Sequence, residues 1–313
     1  MERLANKDVL RADQFNRGEL DLILRTARRY EERLATDEVL DDLEGKILAT
    51  LFYEPSTRTR LSFETAMLRL GGRVISVAEA KSSSAAKGES LHDTIKTVEG
   101  YADLIVLRHP RIGSAEEAAR ATDRPVLNAG DGAGQHPTQS LLDLYTIVKE
   151  QGKVDGLTIA LVGDLKNGRT VHSLAELLAN YEVRFVFVAP PALRMPSEIV
   201  ERLRVKGIEV SETEDLNRAI AGCDILYVTR IQRERFEDPS EYDRLKDAYV
   251  LTRAMLEPAK ASVTIMHPLP RVNEISTEVD DHPGAAYFRQ AANGVPIRMA
   301  LLSLLAGSYD RRA

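Results

Sequence analysis

The feature that most limits what this chain can become is a rhythm. Short apolar runs alternate with stretches whose apolar residues recur at helical spacing, and the pattern stops once and resumes. Runs at 47–51, 74–77, 104–107 and 126–127 read as strands, with helices near 59–70, 91–101 and 115–121 and a longer one at 137–151. After the turn-rich segment 152–156 the alternation restarts, with strands at 157–162, 184–188, 209–210, 225–228 and 263–266. Alternation of this kind predicts βαβ units and a parallel sheet covered on both faces. The expected class is therefore α/β, with two doubly wound parallel-sheet domains and an active site in the cleft between them. The expected division is 1–136 and 137–290, with a C-terminal segment, 291–313, packing back on the first part. Opening helices near 12–18 and 20–35 carry no evident chemistry, and 297–305 reads as an amphipathic helix.

At 313 residues, two domains are the natural reading, each large enough to bury a core. Forty-two basic against 48 acidic residues give a net charge of −6, which does not suit a nucleic-acid or acidic-membrane partner. The single cysteine, Cys223, excludes an internal disulfide and lies before an apolar strand, so a packed core thiol is expected. The first 20 residues are charged, and no run approaches the roughly 18 apolar residues of a membrane span. The setting expected is soluble, reducing and cytoplasmic.

Against this background the arginines act locally. Phe52-Tyr53-Glu54-Pro55-Ser56-Thr57-Arg58-Thr59-Arg60 joins the first strand to a helix, and Ser56 stands where a side chain can cap that helix. Free amides at a helix start favour an anion. A cation in the first turn faces the positive end of the dipole at a cost of about 0.3–1 kcal/mol, so a negative group is needed to offset it. Arg60 has Glu64 four residues on as a partner; Arg58 has none. Hydroxyls, guanidiniums and amides together suit phosphate better than one carboxylate.

The other polar clusters fall beyond the carboxyl ends of expected strands, where ligands bind in open parallel sheets. They are Lys87, Arg108-His109-Pro110, His136-Pro137-Thr138-Gln139, Gly163 to Arg169, Arg230-Ile231-Gln232 and His267-Pro268-Leu269-Pro270. His136 precedes a proline-started helix, where an imidazole tends to stay neutral and can donate to a carbonyl oxygen; taken alone, a simple capping role is as good a reading. The loop 81–89 is small and polar, and composition alone makes it a solvated connection. Gly163 and Gly168 do not form G-x-G-x-x-G, so no nicotinamide site is expected. Arg169 and Arg230 suit a substrate bearing carboxylates. Leu269-Pro270 is a candidate cis bond. No residues have metal-ligand spacing.

The order F-Y-E-P-S-T-R-T-R-L-S-F-E resembles the carbamoyl-phosphate signature of the aspartate/ornithine carbamoyltransferase family, and with the clusters above the resemblance spans nearly the whole chain. It implies attack by the α-amino group of aspartate on carbamoyl phosphate, giving N-carbamoyl-aspartate and phosphate in pyrimidine synthesis, without a cofactor. On that resemblance Ser56, Thr57, Arg58, Thr59 and Arg108 hold the phosphate. Thr59, Arg108 and His136 polarise the carbonyl oxygen, and Gln139 binds the carbamoyl amide. Lys87, Arg169, Arg230 and Gln232 take the aspartate, while Pro268 and Leu269, with Pro270 beside them, offer backbone carbonyls to its amine. Arg58, Thr59, Arg108, His136 and Lys87 are then the catalytic set. Ser83 and Lys87 resemble lid residues that enter a neighbouring subunit's site, so a homotrimer with shared active sites is implied, and regulatory chains are a partner the family allows. Ala86 departs from the paired lysines common in that lid. Ornithine-specific relatives are expected to have a cysteine in the motif that here reads His267-Pro268-Leu269-Pro270.

Overall fold

A computed structural model describes residues 4–36, 38–78, 87–231, 238–245 and 248–308. The chain divides into two compact units, Met1–Leu142 with Asn293–Ala313, and Asp143–Ala292. The border falls inside a helix instead of ahead of it, a few residues beyond the division expected from sequence.

In the first unit, after a short turn at Ala12–Gln14, helix α1 (Arg17–Leu34) starts at Asn16. Asn16 and Glu19 close a capping box, each side chain accepting from the other's amide at 2.9 and 3.1 Å. The strands β1 (Ile47–Phe52), β2 (Arg73–Val77), β3 (Leu104–His109) and β4 (Val126–Asp131) form one parallel sheet in the order β2-β1-β3-β4. The helices α2 (Thr57–Arg69), α3 (Leu91–Val98), α4 (Ser114–Arg120) and α5 (Pro137–Gln151) follow the strands in turn. β1 and β3 are buried over nearly their whole length, as near-continuous apolar inner strands should be. β4 runs past the expected 126–127 because its polar residues pair internally: Asn128 donates to Leu10 O at 3.0 Å and accepts from Gly130 N at 2.8 Å.

The second unit repeats the plan. Its strands are β5 (Thr158–Val162), β6 (Arg184–Val188), β7 (Glu209–Thr213), β8 (Ile225–Val228) and β9 (Thr264–Met266), all parallel, in the order β7-β6-β5-β8-β9. The helices are α6 (Arg169–Leu178), α7 (Ser197–Val205), α8 (Leu216–Gly222), α9 (Pro239–Leu245) and α10 (Tyr287–Ala292). β7 also exceeds its expected span. It lies at the sheet edge with exposed polar residues that no apolar pattern announces. Cys223 is fully buried in this core, and burial pushes its thiol up to about 12, which makes it an inert packing group.

One expectation is corrected. The last helix, α11 (Gly294–Leu305), is not amphipathic: eleven of its twelve residues are buried, and it packs on α1 and α2 in the first unit. A helix covered on both sides has no solvent face to keep polar. Among the described residues no helix is long and apolar enough to cross a membrane.

Candidate active site

Each sheet reverses its order of winding once, and the crevice outside the carboxyl ends at such a point is where ligands bind. In the first unit the reversal lies between β1 and β3. Phe52 stands opposite Arg108 in the parallel register, so the loop after β1 and the last residues of β3 leave the sheet side by side. Tyr53 N donates to Arg108 O at 2.8 Å and ties the two together.

The start of α2 carries an unusual electrostatic pattern. Ser56 is the N-cap residue with extended backbone (φ −159, ψ 91), yet its side chain makes no capping hydrogen bond, contrary to the expected cap. No acidic residue occupies the first turn, whereas α1, α3, α4 and α7 each carry one there. The uncompensated positive pole therefore stays available to a ligand. Arg58 is exposed and its side chain makes no hydrogen bond or ion pair with any described residue; partial desolvation lowers its pKa. Arg60 reaches Glu64 only at 4.0 Å. Glu64 is engaged elsewhere, accepting from Thr50 and Ser76 at 3.0 and 2.9 Å, so the expected Arg60 pairing is marginal. Thr59 is buried and Thr57 exposed on the same turn.

Arg108 differs from Arg58 in being 7% exposed and fixed at both ends of its guanidinium. Nη1 donates to Ala129 O at 3.0 Å and Nη2 pairs with Glu54 Oε1 at 3.2 Å. Glu54 thus has a role that the motif reading did not assign: it holds a buried cation in place. Its sequence signal was its position, an acid just ahead of an anion site. Beyond β4, His136 is buried and ends the approach to α5, its carbonyl accepting from Gln139 N at 3.1 Å and Ser140 N at 3.3 Å. Thr138 in the same first turn is fully buried, and its hydroxyl has no hydrogen-bond partner among the described residues. Lys87 is exposed just ahead of α3, with no bond to the residues above. Ser83, Ala86 and most of the expected lid lie outside the described residues.

In the second unit the reversal lies between β5 and β8. Gly163 ends β5 with φ +115, and a Cβ there would lie 2.4 Å from Thr229 O, so only glycine lets the two strand ends approach this closely. The turn that follows is organised by buried Asp164, whose Oδ1 accepts from Asn167 N at 3.0 Å; burial raises this carboxyl's pKa, and the bonds from Asn167 oppose that. α6 then begins at Arg169 with Gly168 as N-cap and no acid in its first turn, a second helix start carrying a cation. Arg230 follows β8, partly exposed. Gln232 lies outside the described residues. Leu269-Pro270 is cis, as the sequence suggested, and Leu269 takes φ +55.

Behind these groups sits a buried polar network of which only His267 was marked by a motif. His267 Nε2 donates to Glu274 Oε1 at 2.7 Å, and His267 Nδ1 accepts from Leu269 N at 2.8 Å. Burial alone would raise the Glu274 carboxyl, but the bond from His267 and the surrounding backbone amides hold it below its usual value. His267 N donates to Gln290 Oε1 at 2.8 Å, Gln290 to Asp143 Oδ1 at 2.7 Å, and Tyr227 OH to Asp143 Oδ2 at 2.8 Å. Asp143, Tyr227 and Gln290 come from 23 or more residues away in the chain, so nothing in the spacing around His267 could have revealed them. Among the described residues no group of three or more His, Cys, Asp or Glu is placed to hold a metal ion.

Residues 7–149 match the family model for the aspartate/ornithine carbamoyltransferase carbamoyl-P binding domain, and residues 155–305 match the model for the Asp/Orn binding domain. The aspartate carbamoyltransferase catalytic subunit of Thermococcus onnurineus is 58% identical over 304 residues, 97% of this chain and 98% of that protein. Among solved structures, the catalytic subunit of M. jannaschii aspartate transcarbamoylase superposes with TM-score 0.91 at 54% identity, covering 97% of this chain and 99% of that one. Aspartate transcarbamoylase from Trypanosoma cruzi, solved in complex with N-(phosphonacetyl)-L-aspartic acid, gives TM-score 0.92 at 44% identity, with 96% of each chain covered.

Proposed function

We infer the activity from one premise: the chain belongs to the aspartate/ornithine carbamoyltransferase family. It transfers the carbamoyl group of carbamoyl phosphate to the α-amino group of L-aspartate, giving N-carbamoyl-L-aspartate and phosphate. The observation that carries the assignment of roles is the start of α2, with no side-chain cap and no acid in its first turn, with Arg58 on it making no side-chain bond to any described residue and immobilised Arg108 beside it.

In this reading Ser56, Thr57, Arg58, Thr59 and Arg108 bind the phosphate, and Gln139 the carbamoyl amide. Arg169, Arg230 and Gln232 take the carboxylates of aspartate, and the carbonyls of Pro268 and Leu269 receive its amine. The neutral amine attacks the carbamoyl carbon, a tetrahedral oxyanion forms, and the bond to the phosphate oxygen then breaks. The departing phosphate is basic enough to accept the proton that nitrogen loses. Thr59, Arg108 and His136 stabilise the oxyanion. Because phosphate is already a good leaving group, alignment and fixed donors suffice, and the chemistry calls for no covalent nucleophile or cofactor. Paired arginines favour a dicarboxylate over the cationic side chain of ornithine.

The wider setting we propose is cytoplasmic pyrimidine synthesis by a homotrimer, in which Ser83 and Lys87 serve a neighbouring subunit's site. The test is product formation from carbamoyl phosphate with aspartate or ornithine, with the sedimentation of the same sample measured alongside. Carbamoyl-aspartate from a trimeric species is expected. Equal turnover of ornithine would overturn the acceptor assignment, and a monomer at full activity would overturn the shared site.

A further inference from the structure

We propose that Glu274, acting through His267, is a positioning residue for the acceptor amine: the pair sets the Pro268-Leu269-Pro270 turn whose carbonyls receive it. The proposal rests on the reading of Pro268 and Leu269 given above. The geometry allows one arrangement of protons. Leu269 N–H can only donate, so Nδ1 of His267 is the bare acceptor at 2.8 Å, and Nε2 carries the proton that Glu274 receives at 2.7 Å. Glu274 Oε2 meanwhile accepts from Val272 N and Asn273 N at 3.0 and 3.1 Å. One carboxylate therefore clasps both ends of the segment from His267 to Glu274.

The segment needs such a clasp. Leu269 has φ +55, a left-handed conformation that a branched side chain avoids and that persists only where surrounding bonds over-determine it. His267 is held from its other side too, its amide donating to Gln290, which is fixed in turn by Asp143. His267, Glu274, Gln290 and Asp143 are all at least nine-tenths buried, so water does not compete for these bonds. Every donor that faces Glu274 demands an acceptor. In Glu274→Gln one amide hydrogen must face either His267 Nε2–H or the two backbone N–H groups, and turning the imidazole to its other tautomer places Nδ1–H against Leu269 N–H. His267→Asn is the complementary change: its side-chain oxygen can still accept from the amide two residues on, but it cannot reach Glu274.

The experiment is steady-state kinetics of Glu274→Gln and His267→Asn in the full chain, with melting temperature and inorganic-phosphate titration on the same samples. A misplaced acceptor subsite predicts a loss of about tenfold to a hundredfold in kcat/KM for aspartate. The KM for carbamoyl phosphate and the affinity for inorganic phosphate are expected to stay at wild-type values. If one variant does not fold, the other decides. The proposal is overturned if His267→Asn keeps wild-type kinetics, if both substrates lose equally, or if neither variant folds, since the pair would then be unnecessary or merely structural. Those outcomes leave the activity itself standing. A wild-type chain that makes no carbamoyl-aspartate sinks the activity and this proposal together.

Discussion

The two units solve similar binding problems by different means. In the first, four of the five groups assigned to the phosphate are consecutive residues at one helix start, joined by Arg108 from the end of β3, and much of the polarity is supplied by the helix itself: free amides, no side-chain cap and no acid in the first turn of α2. In the second, the groups assigned to the acceptor follow three different strands, β5, β8 and β9, and the segment after β9 is held by a buried chain of hydrogen bonds from Glu274 through His267 and Gln290 to Asp143. An anion site made of backbone amides needs little beyond the helix to exist. A site made of carbonyls on a strained turn exists only while its supports are intact. Loss of Arg58 from the donor half should therefore leave the fold untouched, whereas loss of Glu274 or His267 should disturb the turn that carries the acceptor carbonyls.

The sharpest way to break that contrast is within the first unit. Arg58→Ala and Arg108→Ala are each expected to lower carbamoyl transfer by about 10²–10³, since each removes a donor to developing charge. Only Arg108→Ala should also lower stability, by roughly 1–3 kcal/mol, because Glu54 and Ala129 O lose a buried partner. Rate assays with chemical denaturation of both variants check this. Near-normal turnover in either would refute the assigned roles, and equal destabilisation would show that Arg58 is structural after all.

Acid unfolding probes the second unit. The Glu274 carboxyl lies below its ordinary 4.5, so the folded state binds fewer protons than the unfolded chain. Its contribution is present above the unfolded value and is lost as pH falls through the lower folded one. Denaturant midpoints measured below pH 4.5 should fall less steeply in Glu274→Gln than in the wild type. Parallel curves would mean that the carboxylate is not coupled to the fold. The smallest effect is expected for Ser56→Ala. A working N-cap is worth about 1 kcal/mol, but no cap bond is made here, so stability should change by only a few tenths while phosphate affinity drops. A full capping loss would show that Ser56 serves the helix and not the ligand.

What was legible in the chain follows the same division. The inner strands and most helices were recognisable because an element buried on one side or both must repeat apolar residues at its own period. β7 and the end of β4 were not, since their polar residues are accommodated by an exposed edge and by internal hydrogen bonds. α11 was recognised as a helix but misjudged in character, because full burial depends on two partners, α1 and α2, from the far end of the chain. Glu54 was within sight of the motif, whereas Glu274, Gln290, Asp143 and Tyr227 were invisible in it.

By itself the order of residues determined the α/β class, the paired sheets and the arginine-bearing helix start after β1, since each rests on interactions among neighbours within a few turns or one strand. Only the tertiary structure decided that Ser56 leaves its helix uncapped, that Arg108 is clamped by Glu54, and that a buried carboxylate steadies the turn at Leu269. These depend on the three-dimensional placement of groups, where geometry and desolvation govern, and neither is written in local spacing.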